Sequence, residues 1–179
     1  MRKRICGLLV VLALCMASPV HTADIKSKYG SPATITCTLA SLVTTAARSC
    51  LAVDNTSTLY LDVLVQVQIK SGAAATSTTG YVNVYAYGTA DGGTTYAEGA
   101  GTDAAITLTS PANVKLIGRL NVVANATTYK SEPFSVAAAF GGVLPQKWGI
   151  IIENQSGGTL DGTEGSHLKL YQGALAQSP

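Results

Sequence analysis

The stretch LYLDVLVQVQIK, Leu59–Lys70, sets Leu59, Leu61, Val63, Val65, Val67 and Ile69 on one side of an extended chain and Tyr60, Asp62, Leu64, Gln66, Gln68 and Lys70 on the other. Successive side chains of a strand point to opposite faces, so alternation of this length predicts a long strand with one buried face. Tyr81–Tyr87 repeats the pattern, with Val82, Val84 and Ala86 opposite Tyr81, Asn83, Tyr85 and Tyr87. The connection SGAAATSTTG, residues 71–80, is small, polar and of hairpin length or slightly more, and predicts that the two strands pair antiparallel.

Outward from this pair the chain reads as further strands. Val114–Val123 is apolar on both faces in part, Phe134–Phe140 carries Phe134, Val136, Ala138 and Phe140 on one side, Trp148–Asn154 is bulky and β-branched, and Leu168–Leu175 closes the chain as a last strand. Ala33–Leu39, Arg48–Val53 and Ala105–Leu108 read as shorter strands, and Ala40–Arg48 as the one place for a turn of helix. Pro111, Pro133 and Pro145 fall at the edges of apolar runs, where a missing backbone donor does no harm. The expected fold is all-β, a β-sandwich or jelly roll of about eight to nine antiparallel strands.

The N-terminus has a different character. Arg2, Lys3 and Arg4 precede the uncharged apolar run Ile5–Met16 and a short stretch with small residues, Ala17–Ala23. This is the layout of a secretory signal, with Ala23 the favoured cleavage position, and the apolar run is too short for a permanent membrane anchor. The expected organisation is a signal-peptide-like leader over residues 1–23 and a single domain over 24–179. Of twelve Lys and Arg, three sit in the leader and leave nine against ten Asp and Glu. The domain is therefore close to neutral, without the basic cluster that nucleic-acid binding requires.

Cys37 and Cys50 are the cysteines beyond the leader. Two readings stand: a disulfide, worth roughly 3 kcal/mol for a loop of that length, or a pair of small buried residues. With only His167 to join them, they form no zinc site.

Thr89, Asp91, Gly93, Thr95 and Tyr96 match the Asp-box pattern, in which the Asp accepts backbone N–H groups inside a turn, the Gly supplies positive φ and the aromatic packs beneath. Sialidases carry this box as a fold element, in several copies at blade spacing, so one copy points to a structural turn. Serine chemistry lacks a partner beyond His167, which reads as a loop or strand-edge residue. Asp62, Glu153, Asp161 and Glu164 are scattered carboxylates without a glycosidase or calcium pattern, and Glu153 reads as facing solvent at a strand end. The expectation is a protein without catalytic residues, cofactor or metal.

The candidate contact residues are aromatic. Tyr81, Tyr85 and Tyr87 project from one strand face and suit either sugar stacking or packing against a neighbouring sheet or subunit, and Trp148 reads as a core or interface anchor. Leu64 on a polar side, and Ile117 and Val123 beside Lys115 and Arg119, leave apolar surface that predicts a homo-oligomer, a trimer being one symmetric form.

The phrases YVNVYAYGTADGGTTY (Tyr81–Tyr96), AFGGVLPQKWGIIIENQSGGTL (Ala139–Leu160) and HLKLYQGALAQSP (His167–Pro179) resemble a family of small tailed-bacteriophage virion proteins. The similarity runs from about Asp24 to the C-terminus. It implies a structural component of head or tail, a decoration, fibre or tail-associated sandwich that assembles with itself or other virion proteins, with host-surface glycan as a further contact. The leader is the departure from that family, whose members assemble in the cytoplasm. It sets a virion location against a secreted or periplasmic one, and a virion protein against a secreted carbohydrate-binding or adhesin-like module.

Overall fold

The structure is a computed structural model that describes residues 25–74, 76–110 and 112–177. The leader expected over residues 1–23 lies outside the described residues. Twelve strands occur among them: β1 Lys26–Tyr29, β2 Ala33–Thr34, β3 Ala47–Ser49, β4 Val53–Asp54, β5 Asp62–Lys70, β6 Tyr81–Thr89, β7 Ala104–Ile106, β8 Lys115–Asn121, β9 Thr128–Lys130, β10 Phe134–Ser135, β11 Lys147–Gln155 and β12 Leu168–Gln177. The first sheet runs β1-β12-β5-β10, with β2 on β12 and β9 on β5. The second runs β7-β3-β11-β6-β8, with β4 on β11. Every pairing is antiparallel.

The two sheets pack face to face. Val63, Val65, Val67 and Ile69 of β5 meet Val82, Val84 and Ala86 of β6 and Trp148, Ile150 and Ile152 of β11 in one buried cluster. Burying each of these side chains contributes about 1.5–3 kcal/mol relative to leaving it in water, which is why the alternation decides the layer structure.

The long strands β5 and β6 do not form the expected hairpin. They lie in opposite sheets, β5 between β12 and β9/β10, and β6 between β11 and β8. The connection crosses from one sheet to the other and is held at both ends. Ser71 donates its hydroxyl to the Ala124 carbonyl at 2.6 Å, and Gly80 sits so close to the second sheet that a Cβ there would meet the Ser156 carbonyl oxygen at 2.4 Å.

The strand opened by Leu59 also starts later than expected. Leu59 and Leu61 are 69% and 60% exposed. The Asn55 side chain captures Tyr60 through its N–H and carbonyl, at 2.8 and 3.0 Å, and Leu59 takes a left-handed φ of 53°. That turn reverses the phase, so Tyr60 packs against the core, with its ring on Gly173, in place of the flanking leucines.

Three further expectations are corrected. Phe134–Phe140 is a strand only to Ser135, after which Ala137–Phe140 is a 3-10 turn. The Asp62 carboxylate fixes the change by accepting the Ser135 hydroxyl and the Ala137 N–H, both at 2.8 Å. Ala40–Arg48 forms turns in place of a helix, with Ser41 and Thr45 at φ 58° and 67°, before Ala47 enters β3. β1 and β9 add strands that the alternation did not reveal, because each is too short for a period to show.

Cys37 and Cys50 are joined in a disulfide. It spans the segment that leaves β2 in the first sheet and enters β3 in the second, so it tethers the sheets where the chain crosses between them. The shift of Leu59 out of the core gives a direct test by urea unfolding. Ile152→Ala is expected to lose about 2–5 kcal/mol, whereas Leu59→Ala should stay within about 0.5 kcal/mol of the parent.

Candidate functional site

The outer face of the second sheet is partly closed by its own loop. Thr89 hydrogen-bonds Asp91 through its hydroxyl, and Asp91 accepts the N–H groups of Gly93, Thr94 and Thr95 at 3.3, 2.9 and 3.0 Å. These donors, the Thr89 hydroxyl first, hold the Asp91 carboxyl well below the usual carboxylate range. Gly93 has φ 106°, and Tyr96 lands on Tyr87 edge to face, ring centroids 5.4 Å apart.

Tyr87 is therefore not an exposed platform. It is 1% exposed and part of a small second core with Ala47, Val114 and Ile151. Its hydroxyl donates to the Cys50 carbonyl, and burial pushes its phenol up to about 12. Trp148 is likewise fully buried, in the main core, edge to face with Tyr171 at 5.4 Å. Of the aromatic row, only Tyr81 and Tyr85 remain half-exposed.

Around those two lies a connected polar strip. β6 contributes Tyr81, Asn83 and Tyr85, while β11 places Glu153 opposite Asn83 and β8 places Arg119 on its other side. Arg119 stacks over the Tyr81 ring at 4.0 Å and donates through Nε to Asn83 Oδ1 at 2.9 Å. Asn83 Nδ2 and the Tyr85 hydroxyl both donate to Glu153 Oε2 at 2.8 Å, and Gln155 Nε2 donates to Oε1 at 2.9 Å. Burial pushes the Glu153 carboxyl up, but the Asn83, Gln155 and Tyr85 donors outweigh it and the net shift is downward. Burial and the Glu153 charge together raise the Tyr85 phenol to about 12. Glu153 is thus near the end of β11, as read from the sequence, but half-buried and bonded where that reading had it facing solvent.

The outer face of the first sheet has another composition. The register pairs Leu64 with Gln172, Gln66 with Leu170 and Gln68 with Leu168. Each glutamine is pinned by its amide. Gln66 donates to the Ser131 carbonyl, Gln68 to that of Ser166 and Gln172 to that of Gly30, at 3.0, 3.2 and 3.0 Å. Leu168 is 44% exposed, Leu64 and Leu170 are half-exposed, and shallow grooves flanked by Pro32 and Pro133 run across the face. Leu64 was legible as an outward leucine; the glutamines and the leucines of β12 become its neighbours only through the register.

The remaining carboxylates hold the chain's own loops. Glu164 accepts the N–H groups of Leu39 and Ala40 at 2.7 and 2.8 Å and the ammonium of Lys169. Asp161 pairs with Lys70 at 3.1 Å and accepts the Thr163 N–H at 3.0 Å. His167 lies between the 3-10 turn Glu164–Ser166 and the start of β12, the loop or strand-edge place read for it, and its side chain is buried there. Its Nδ1 accepts the Lys70 N–H at 3.3 Å and its Nε2 donates to the Asp161 carbonyl at 3.0 Å. Among the described residues no group of three or more His, Cys, Asp or Glu is placed to hold a metal ion.

No protein family matches the chain, and neither a curated protein nor a solved structure matches it.

The loop-holding carboxylates set the acid limit of the fold. The Thr163 N–H, then Lys70, bring Asp161 down to about 2 from the ordinary 3.8. A carboxyl depressed in the folded state adds stability that is complete above the unfolded pKa and is lost as pH falls through the folded one. Thermal unfolding midpoints are therefore expected to fall between about pH 4 and about pH 2, and to fall less steeply in Asp161→Asn.

Proposed function

We propose that this chain is a non-enzymatic structural protein of a particle surface, a virion component of the decoration, fibre or tail-associated kind, which makes protein–protein contacts. The observation that carries the reading is the outer face of β5 and β12. It is uncharged along its centre, presents leucines between glutamines, and holds those glutamines in place by amide bonds to backbone carbonyls. Depletion of charge marks the core of a protein interface, and pre-ordered side chains lose little entropy when a partner docks.

Two further observations support it. Glu164, Asp161 and His167 are bonded to the chain's own backbone and lysines. The phrases resembling virion proteins fall on β6 and its turn, on β11 and on β12, so the resemblance covers strands of both sheets. The partners are copies of this chain or other particle proteins, and the same contacts would serve a homo-oligomer.

Leu168→Glu tests the reading, because it places a charge on the face without touching the core. Light scattering on the parent domain is expected to give an oligomer and on Leu168→Glu a smaller species with the same unfolding midpoint. Mass spectrometry of purified particles should find the protein. A parent that is monomeric at high concentration and missing from particles would refute the proposal.

A further inference from the structure

We infer that the polar strip on the outer face of the second sheet is a binding site for a neutral saccharide, independent of the contact face on the first sheet. The covering loop closes over Tyr87 and Ile151 but leaves Arg119 exposed and Tyr81 and Glu153 half-exposed, with Asn83 buried between them. These residues lie across three adjacent strands, β11, β6 and β8.

The chemistry of the strip selects the ligand class. Its two charges, Glu153 and Arg119, are linked through Asn83 and cancel, so neither an anion nor a cation is favoured. Both remain able to bond outward. Arg119 has five N–H donors and uses Nε on Asn83, while Glu153 Oε1 accepts one bond, from Gln155. A donor fork and a carboxylate oxygen held on one rigid face match the paired donor and acceptor character of neighbouring hydroxyl groups. Tyr81, at the end of the strip, carries the Arg119 guanidinium on one face of its ring and is half-exposed, so the part of the ring left in solvent supplies an aromatic contact for the apolar side of a sugar.

The cleft beside Glu153 sets the hydroxyls of Thr44, Thr45 and Thr107 among apolar walls that include Val43, Ile106 and Leu108, a mixture that suits the polar and apolar sides of a sugar. Preorganisation favours recognition here as well. Asn83, Tyr85 and Gln155 fix the carboxylate before any ligand arrives, so binding does not have to order it.

The test uses the purified protein on an array of neutral oligosaccharides built from glucose, galactose, mannose and N-acetylglucosamine, with sialylated and sulfated glycans on the same array. The expected result is binding confined to neutral glycans, weakened at least tenfold in Tyr81→Ala and in Glu153→Gln and unchanged in Val143→Ser, an exposed residue between the 3-10 turn Ala137–Phe140 and β11 and outside the strands of both faces. Tyr81→Ala leaves the Asn83–Glu153 bonds in place, so a folded variant remains available if Glu153→Gln unfolds. A blank array, binding only to the charged glycans, or equal binding by parent and Tyr81→Ala would overturn the inference.

Discussion

The structure depends on one packing constraint, the contact of the valine face of β5 with the inner faces of β6 and β11. Val63, Val65, Val67 and Ile69 are fully buried there, and so are Val82, Val84, Ile150 and Ile152. Because side chains alternate along a strand, burying this set sends the complementary set outward. Leu64, Gln66 and Gln68 then face away from the core on one sheet, and Tyr81, Asn83 and Tyr85 on the other. Both candidate surfaces are consequences of the same core.

Polar side chains complete what the core begins. Asn55, Asp62, Asp91 and Glu164 each receive two or more bonds from backbone N–H groups or hydroxyls, and each sits where a strand begins or a loop turns. The Cys37–Cys50 bond adds a covalent tie between the sheets, its loop short enough that removing it would release roughly 3 kcal/mol of chain entropy on unfolding. In a domain with so few charges, these local devices define the ends of strands whose interiors are set by hydrophobic burial.

Alternation made the buried faces of β5 and β6 legible and the bulky, β-branched run of Trp148–Asn154 marked β11 as a strand, and with them came the all-β class and its two-sheet form. Period alone says which face is buried, not which strand lies beside it. That is why β5 and β6 read as a hairpin although β5 pairs with β12, far along the chain, and the two strands meet only across the core. The phase change at Leu59 was hidden because it depends on Asn55 holding Tyr60. Trp148 was recognisable as an anchor, but Tyr87 read as one of three projecting tyrosines, because the cover over it comes from a loop whose path the local pattern does not encode. At the polar strip, Tyr81 and Tyr85 could be read on one face; Arg119 and Glu153 join them only through long-range register.

The two outer faces divide the surface by chemistry, one of leucine and pinned glutamine, the other of charge-balanced polar groups with a half-exposed tyrosine. The first carries the functional account. Hydroxyl-radical footprinting of the chain in its native assembly and in isolation tests that account most directly. Leu64, Leu168 and Leu170 are expected to lose reactivity on assembly while Val143 keeps its own. Equal reactivity of the three leucines in both states would contradict it.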